Sequence, residues 1–351
     1  MKKMLFPLFA CCLITEVGFA QQDYHFSQFF AAPITYNPAN SGAFEGGVRG
    51  MVNYRSQYTG LSEGYKTFGF TADAPIRVSS DARDLNHIGV GLSVVNDNAG
   101  IVGFNNFSAS GNVAYAIDLG GTAQDPKFIS LGLQFGFMQR SLDLTKASWE
   151  QQWTGTSFNQ GLASGESATG SINESNVDLG AGVSWYNSIN ANTRMLIGGA
   201  VLHANAPQVE LIGNDEALRR KYVGHFAMSV SPNGSQVTYL PNVFLMFQGP
   251  NRIIDVGSEI EFSLWDRTQF TDFRNNLSLN LGAYYRVQDA LYFIARANYY
   301  DFSLGISYDF TVSSLAENNQ GRGGVELVLA YRTSFSGPGV GRQRLIKSKG
   351  L

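Results

Sequence analysis

Four histidines, one close pair of carboxylates and two adjacent cysteines are the residues from which chemistry would have to be built. His25, His87, His203 and His225 stand far apart, with none of the short spacings that gather imidazoles around a metal. Glu259 and Glu261 are separated by one residue, which on a strand puts both carboxylates on one face. Such a pair could serve acid–base chemistry, but parity alone equally describes a solvated face, which is the expectation adopted. No G-x-S-x-G elbow presents a serine nucleophile, and the "GVG" at 89–91 lacks the rest of a dinucleotide fingerprint. The chain is therefore expected to be no enzyme and to carry no cofactor or metal.

The cysteines point to compartment rather than reactivity. Lys2 and Lys3 precede an apolar run from Met4 to Ile14, and Gly18-Phe19-Ala20 supplies small residues for cleavage, so residues 1–20 are expected to be a cleaved signal peptide. The run falls short of the roughly 20 residues of a spanning helix, and Pro7 interrupts it. Lipoprotein processing at Cys11 is the lesser alternative, since bulky Phe9 precedes it. Cys11 and Cys12 both lie in this leader, which leaves the exported chain without disulfide, thiolate ligand or thiol nucleophile. A net charge of −3, from 25 basic and 28 acidic residues, offers no field for nucleic acid.

The elements that must position any site are strands. In "FISLGLQFGFM" (128–138), Ile129, Leu131, Leu133, Phe135 and Phe137 share one parity and Ser130, Gly132, Gln134 and Gly136 the other. The same period of two recurs at 254–264, 277–283, 302–310 and 325–331, and no segment holds a 3.6-residue apolar repeat. About fourteen such segments are counted, each near the length of a tilted membrane strand. Segments 237–247 and 291–297 alternate poorly, and Pro241 removes a ladder donor, so the count carries a margin of about two there. The inward parity reads as Gly, Ser and Asn, while Tyr54, Trp185, Trp265, Tyr284, Tyr285, Tyr299, Tyr300 and Tyr331 fall near strand ends, as interfacial girdles would. An all-β transmembrane antiparallel β-barrel over 47–332 follows, because closure is how a sheet satisfies its backbone in hydrocarbon. A pair of soluble sandwiches is the competing architecture.

Four regions are singled out. Residues 21–46, "YNPANSG" included, read as an N-terminal plug, with Phe26, Phe29, Phe30, Tyr36 and Phe44 against the polar wall; an ordered periplasmic strap is the alternative. In this plug Asn37 lies within the motif, Pro33 and Pro38 prevent strand pairing and Gly42 permits the turn into the first strand. Arg55, Asp309 and Glu326 share the inward parity near the outward ends of the first and last two strands, so they should meet in the lumen, more as a compensating ion pair than as a partner contact. The outward loop from about Ser141 to Ser175 holds Trp149, Trp153 and Phe158 and is the candidate partner-binding loop. The next, from about Ala204 to Arg220, contains "NDEALRR", expected to form a helical turn; residues 333–351 form a basic tail.

The ordered set "YNPANSG" (36–42), "VNYRSQY" (52–58), "IGVGLSVVNDNAG" (88–100), "LGLQFGFMQRSLD" (131–143), "IGGAVLHANAP" (197–207), "LGISYDFTVSSL" (304–315) and "GRGGVELVLAYR" (321–332) resembles the PorP/SprF family of type IX secretion and gliding-motility proteins. The resemblance implies a FadL-like barrel of the bacterial outer membrane that works with the type IX and gliding machinery. It further implies export or surface anchoring of an adhesin-like secreted cargo with a C-terminal sorting domain. A FadL-type channel for small hydrophobic ligands is the alternative reading. It calls for an apolar inward face, against the Gly, Ser and Asn read there.

Overall fold

The computed structural model describes residues 23–44, 46–58, 64–78, 85–100, 103–122, 125–165, 170–210, 215–265, 277–314 and 316–333. The proposed leader and all but the first residue of the basic tail lie outside them. Sixteen strands occur in this part of the chain: β1 Val48–Gln57, β2 Tyr65–Arg77, β3 His87–Ala99, β4 Phe104–Asp118, β5 Lys127–Asp143, β6 Ser171–Asn190, β7 Thr193–Leu202, β8 Gln208–Glu210, β9 Asp215–Ala217, β10 Lys221–Val230, β11 Val237–Gln248, β12 Asn251–Trp265, β13 Leu277–Arg286, β14 Ala290–Tyr299, β15 Phe302–Thr311 and β16 Arg322–Thr333. All but β8 and β9 form one closed antiparallel ring in chain order, sealed where β1 pairs β16 with Val48 opposite Thr333 and Arg55 opposite Glu326.

The alternation in the sequence becomes the two faces of this wall. On β5, Ser130 is 1% exposed whereas Phe135 is 61% exposed, and the same contrast runs round the ring. Outward side chains are apolar and bare of protein, as lipid acyl chains require, and Trp185, Tyr285, Tyr299 and Tyr331 lie among them. Tyr284 departs from the girdle expected of it: it is buried in the lumen, because Tyr285 takes the outward parity.

β5 and β6, at 17 and 20 residues, exceed the length a membrane crossing needs, so their shared hairpin projects beyond the rim. The two longest connections, 144–170 and 203–220, leave this same end, which marks it as the extracellular one. Within 203–220 the expected helical turn is replaced by a small β hairpin: Gln208, Val209 and Glu210 pair with Ala217, Glu216 and Asp215. Leu218 of "NDEALRR" is buried with Met138 and Val209, so tertiary packing overrode local helix preference.

Candidate functional site

Residues 23–44 lie inside the barrel. They form three successive single turns: Phe29–Ala31, the α-turn Pro33–Tyr36 and Pro38–Asn40. Pro33 and Pro38 each open a turn, where a missing N–H costs nothing, and the Asn37 side chain accepts the Ala39 N–H at 2.9 Å. Gly42 has φ +70, and a Cβ there would stand 2.9 Å from the Gly89 Cα, so both the backbone conformation and the close approach demand glycine.

Contacts of this segment reach strands all round the ring, which only an interior position allows. Thr35 meets Ser93 on β3 at 2.9 Å, the Asn37 amide donates to Ser184 on β6 at 3.0 Å, and Phe29 stacks on Phe244 of β11 with centroids 4.8 Å apart. Asp23 lies beside Lys221 and Gln248, at the outward ends of β10 and β11, whereas the Gly42 N–H donates to Asp73 near the inward end of β2. The segment therefore runs the length of the lumen. At its foot Phe44 lies under the Arg49 guanidinium, 4.4 Å from centroid to carbon, and Arg49 pairs with Asp73 at 2.8 Å.

Three side-chain groups hold it. The first is apolar: Phe26, Phe29 and Tyr36 pack with buried Phe244, Met246, Tyr284, Tyr292 and Ile294, while half-buried Phe30 lies under Arg296. A wall mostly of Gly, Ser and Asn was expected; β11, β13 and β14 instead turn aromatic and aliphatic side chains inward to receive these rings. The second is charged and brings the predicted trio together. Arg55 pairs with Asp309 at 2.7 Å and Glu326 at 3.3 Å, and Arg286 joins from β13 with Asp309 at 3.2 Å and Asp255 at 3.1 Å. Ser27 sits at their centre, its N–H donating to Glu326 at 2.7 Å and its hydroxyl to Asp309 at 2.8 Å, while Arg286 donates to its oxygen at 2.9 Å.

The third group lies at the outward mouth. Asp23 accepts from Lys221 at 2.8 Å, His203 Nε2 at 2.6 Å and Arg140 at 3.2 Å, and His203 Nδ1 meets Asp178 at 2.8 Å. Burial opposes ionisation of Asp23, but Lys221, His203 and Arg140 outweigh it and hold the carboxyl well below its ordinary range. Burial likewise opposes His203 protonation, and Asp23 and Asp178 overcome it, raising its pKa.

Parity alone did not reveal the partners of several inward charges. Glu259, read as a solvated carboxylate, is buried and paired with Arg296 at 2.6 Å. Arg286 and Asp73 have the inward parity and were within reach of the same reasoning. His203 follows the end of β7 with φ +52, and no periodicity could have placed it. Among the candidate rim residues, Trp153 and Phe158 form an isolated β-bridge with rings 4.9 Å apart and stay 49% and 52% exposed; Trp149 is half-buried, just ahead of the single turn Glu150–Gln152.

The family model described as type IX secretion system membrane protein PorP/SprF matches residues 18–331. No curated protein matches the chain. Among solved structures, a TodX monoaromatic hydrocarbon channel mutant is similar at 11% identity and TM-score 0.45, over 87% of this chain and 94% of its own. The Pseudomonas putida toluene transporter TodX gives 10% and 0.42 over 86% and 93%; a Pseudomonas aeruginosa FadL homologue gives 10% and 0.40 over 84% and 92%. At these scores the architecture rests on the strand pairing above rather than on these likenesses.

Proposed function

The chain belongs to the PorP/SprF family of type IX secretion system membrane proteins, an outer-membrane barrel by that membership and by its fold, and from that premise we propose that it captures and anchors a secreted partner at its outward rim. The observation that carries this reading is the filled lumen: residues 23–44 occupy it from mouth to foot and are tied to the wall by the buried Asp23–Lys221 ion pair and by hydrogen bonds from Ser27 and Gly42. The work then falls to the outward loops, where Trp153 and Phe158 offer a rigid aromatic pair to a partner, as aromatic anchors do in interfaces. The partner is a cargo protein with a C-terminal sorting domain, the companions are type IX components in the outer membrane and periplasm, and the barrel binds without catalysing. A channel for small hydrophobic ligands has less support, since Phe26, Phe29 and Tyr36 already fill the apolar side of the lumen.

Affinity purification from intact outer membranes tests this. A large secreted protein should travel with the wild-type barrel and be lost, by at least about tenfold, from a Trp153→Ser, Phe158→Ser double variant; each such anchor contributes about 2 kcal/mol or more. A barrel recovered alone, or a partner retained by the double variant, would contradict the assignment.

A further inference from the structure

The wall around Asp23 is built as a receptor for one carboxylate. Arg140 comes from β5, Lys221 from β10 and His203 from the turn after β7, and all three converge on the two Asp23 oxygens. Asp178 of β6 is the other carboxylate in the group, bonded to the far side of the His203 ring. Tyr24, whose ring lies 5.3 Å from the Lys221 ammonium, and the Gln248 amide oxygen, which accepts the Asp23 N–H at 3.0 Å, complete the surroundings. Asp23 is the only ionised group here that belongs to the N-terminal segment; the others are fixed in the wall. Without it, Asp178 would be the carboxylate left in direct contact with the group of two permanent cations and His203, and an incompletely compensated buried charge is strongly disfavoured.

A second feature extends the site. The Nε of Arg140, the Oδ1 of Asn106 and the Oε1 of Gln134 are buried without a hydrogen-bond partner. A cavity of about 20 Å³ lies alongside, lined by Asp23, Asn106, Gln134, His203 and Lys221. That is room for about one water-sized group beyond the carboxylate.

We propose that Arg140, Lys221 and His203 form a carboxylate-binding site at the outward mouth of the lumen, occupied in cis by Asp23 and open to an external carboxylate when the start of the segment lifts away. Small organic acids and acidic peptide groups share this chemistry. Displacement of Asp23 would couple ligand arrival at the rim to loosening of residues 23–30, and the site stands whether or not the cargo assignment is correct.

The test uses the purified full-length barrel in detergent, with its thermal unfolding midpoint followed by circular dichroism. Asp23→Ala empties the space of the carboxylate, and Asp23→Ser does so while keeping a hydrogen-bonding group. Both variants should unfold at lower temperature than wild type. Sodium acetate should restore a large part of that loss saturably, sodium chloride at equal ionic strength should not, and the wild type should respond to neither. An Asp-Tyr-His-Phe-Ser peptide, matching residues 23–27, forms the second arm; whichever probe acts at lower concentration identifies a free acid or a peptide group as the better occupant. Equal response of wild type and variants to acetate, rescue by chloride as effective as by acetate, or failure of both variants to fold or gain stability with acetate present, overturns the proposal.

Discussion

Ser27 carries no charge, yet two guanidinium groups and two carboxylates converge on it, and this arrangement explains how a short polar stretch can be fixed inside a membrane protein. Each ion in the group is compensated by neighbours rather than by water, so losing one partner exposes the rest to the low dielectric. Arg55→Met should therefore cost about 3–5 kcal/mol, read as a lowered urea midpoint in detergent, and Arg55→Lys should recover only part because one ammonium cannot span Asp309 and Glu326 as the guanidinium does. The mouth cluster adds a dependence on pH. The folded-state pKa of His203 is raised above 6.5, so its contribution is complete below that value and is lost as pH rises through the folded value. Asp23 has the opposite sign: its depressed pKa gives stability that is present above about 3.8 and lost only in stronger acid. Between about pH 6 and 9 the wild type should thus lose stability as pH rises, while His203→Gln should show a flatter profile. Urea titrations across that range, with parallel profiles for the two proteins as the contrary result, check this.

The strands make room for the segment with glycine. A Cβ on Gly132 of β5 would overlap the backbone of Pro38 and Ala39, and one on Gly89 of β3 would overlap the Ser41 carbonyl. Gly132→Val should consequently unseat the segment without unmaking the barrel: the far-ultraviolet spectrum stays that of a sheet, the urea midpoint falls by about 1–3 kcal/mol of stability, and protease reaches residues 23–44. The glycines, the closed ring and the lumen trio could all be read from the sequence, because a period of two assigns every residue on a two-faced strand to one side. The reading weakened at 237–247 and 291–297 for a reason the structure supplies. Phe244 and Met246, and then Tyr292 and Ile294, face inward to pack with Phe26, Phe29 and Tyr36, and Leu240 is buried on the same parity, while Tyr239, Phe247, Leu291 and Phe293 face lipid. With both faces apolar the alternation vanishes, and the poorest strand signals turn out to mark the wall that receives the segment. Asp23 and His203 stayed hidden because they meet across 180 positions from outside any strand.

At the scale of the molecule, an apolar outer belt, a tied interior and an extended extracellular rim belong together. Lipid satisfies the belt, and the closed ladder leaves no edge for the barrel backbone to expose. The interior is occupied by the chain's own residues, held towards the mouth by Asp23 and Ser27 and at the foot by Gly42. A barrel filled in this way acts through its surface, and the projecting β5–β6 hairpin carries the longest connection outside the membrane. Single-channel recording in a planar bilayer tests that account most directly. The wild-type barrel should remain electrically silent, and deletion of residues 23–44 should open a stable ion conductance of the kind an emptied fourteen-strand ring permits. A wild-type barrel that conducts steadily, or a correctly folded deletion variant that stays silent, would contradict it.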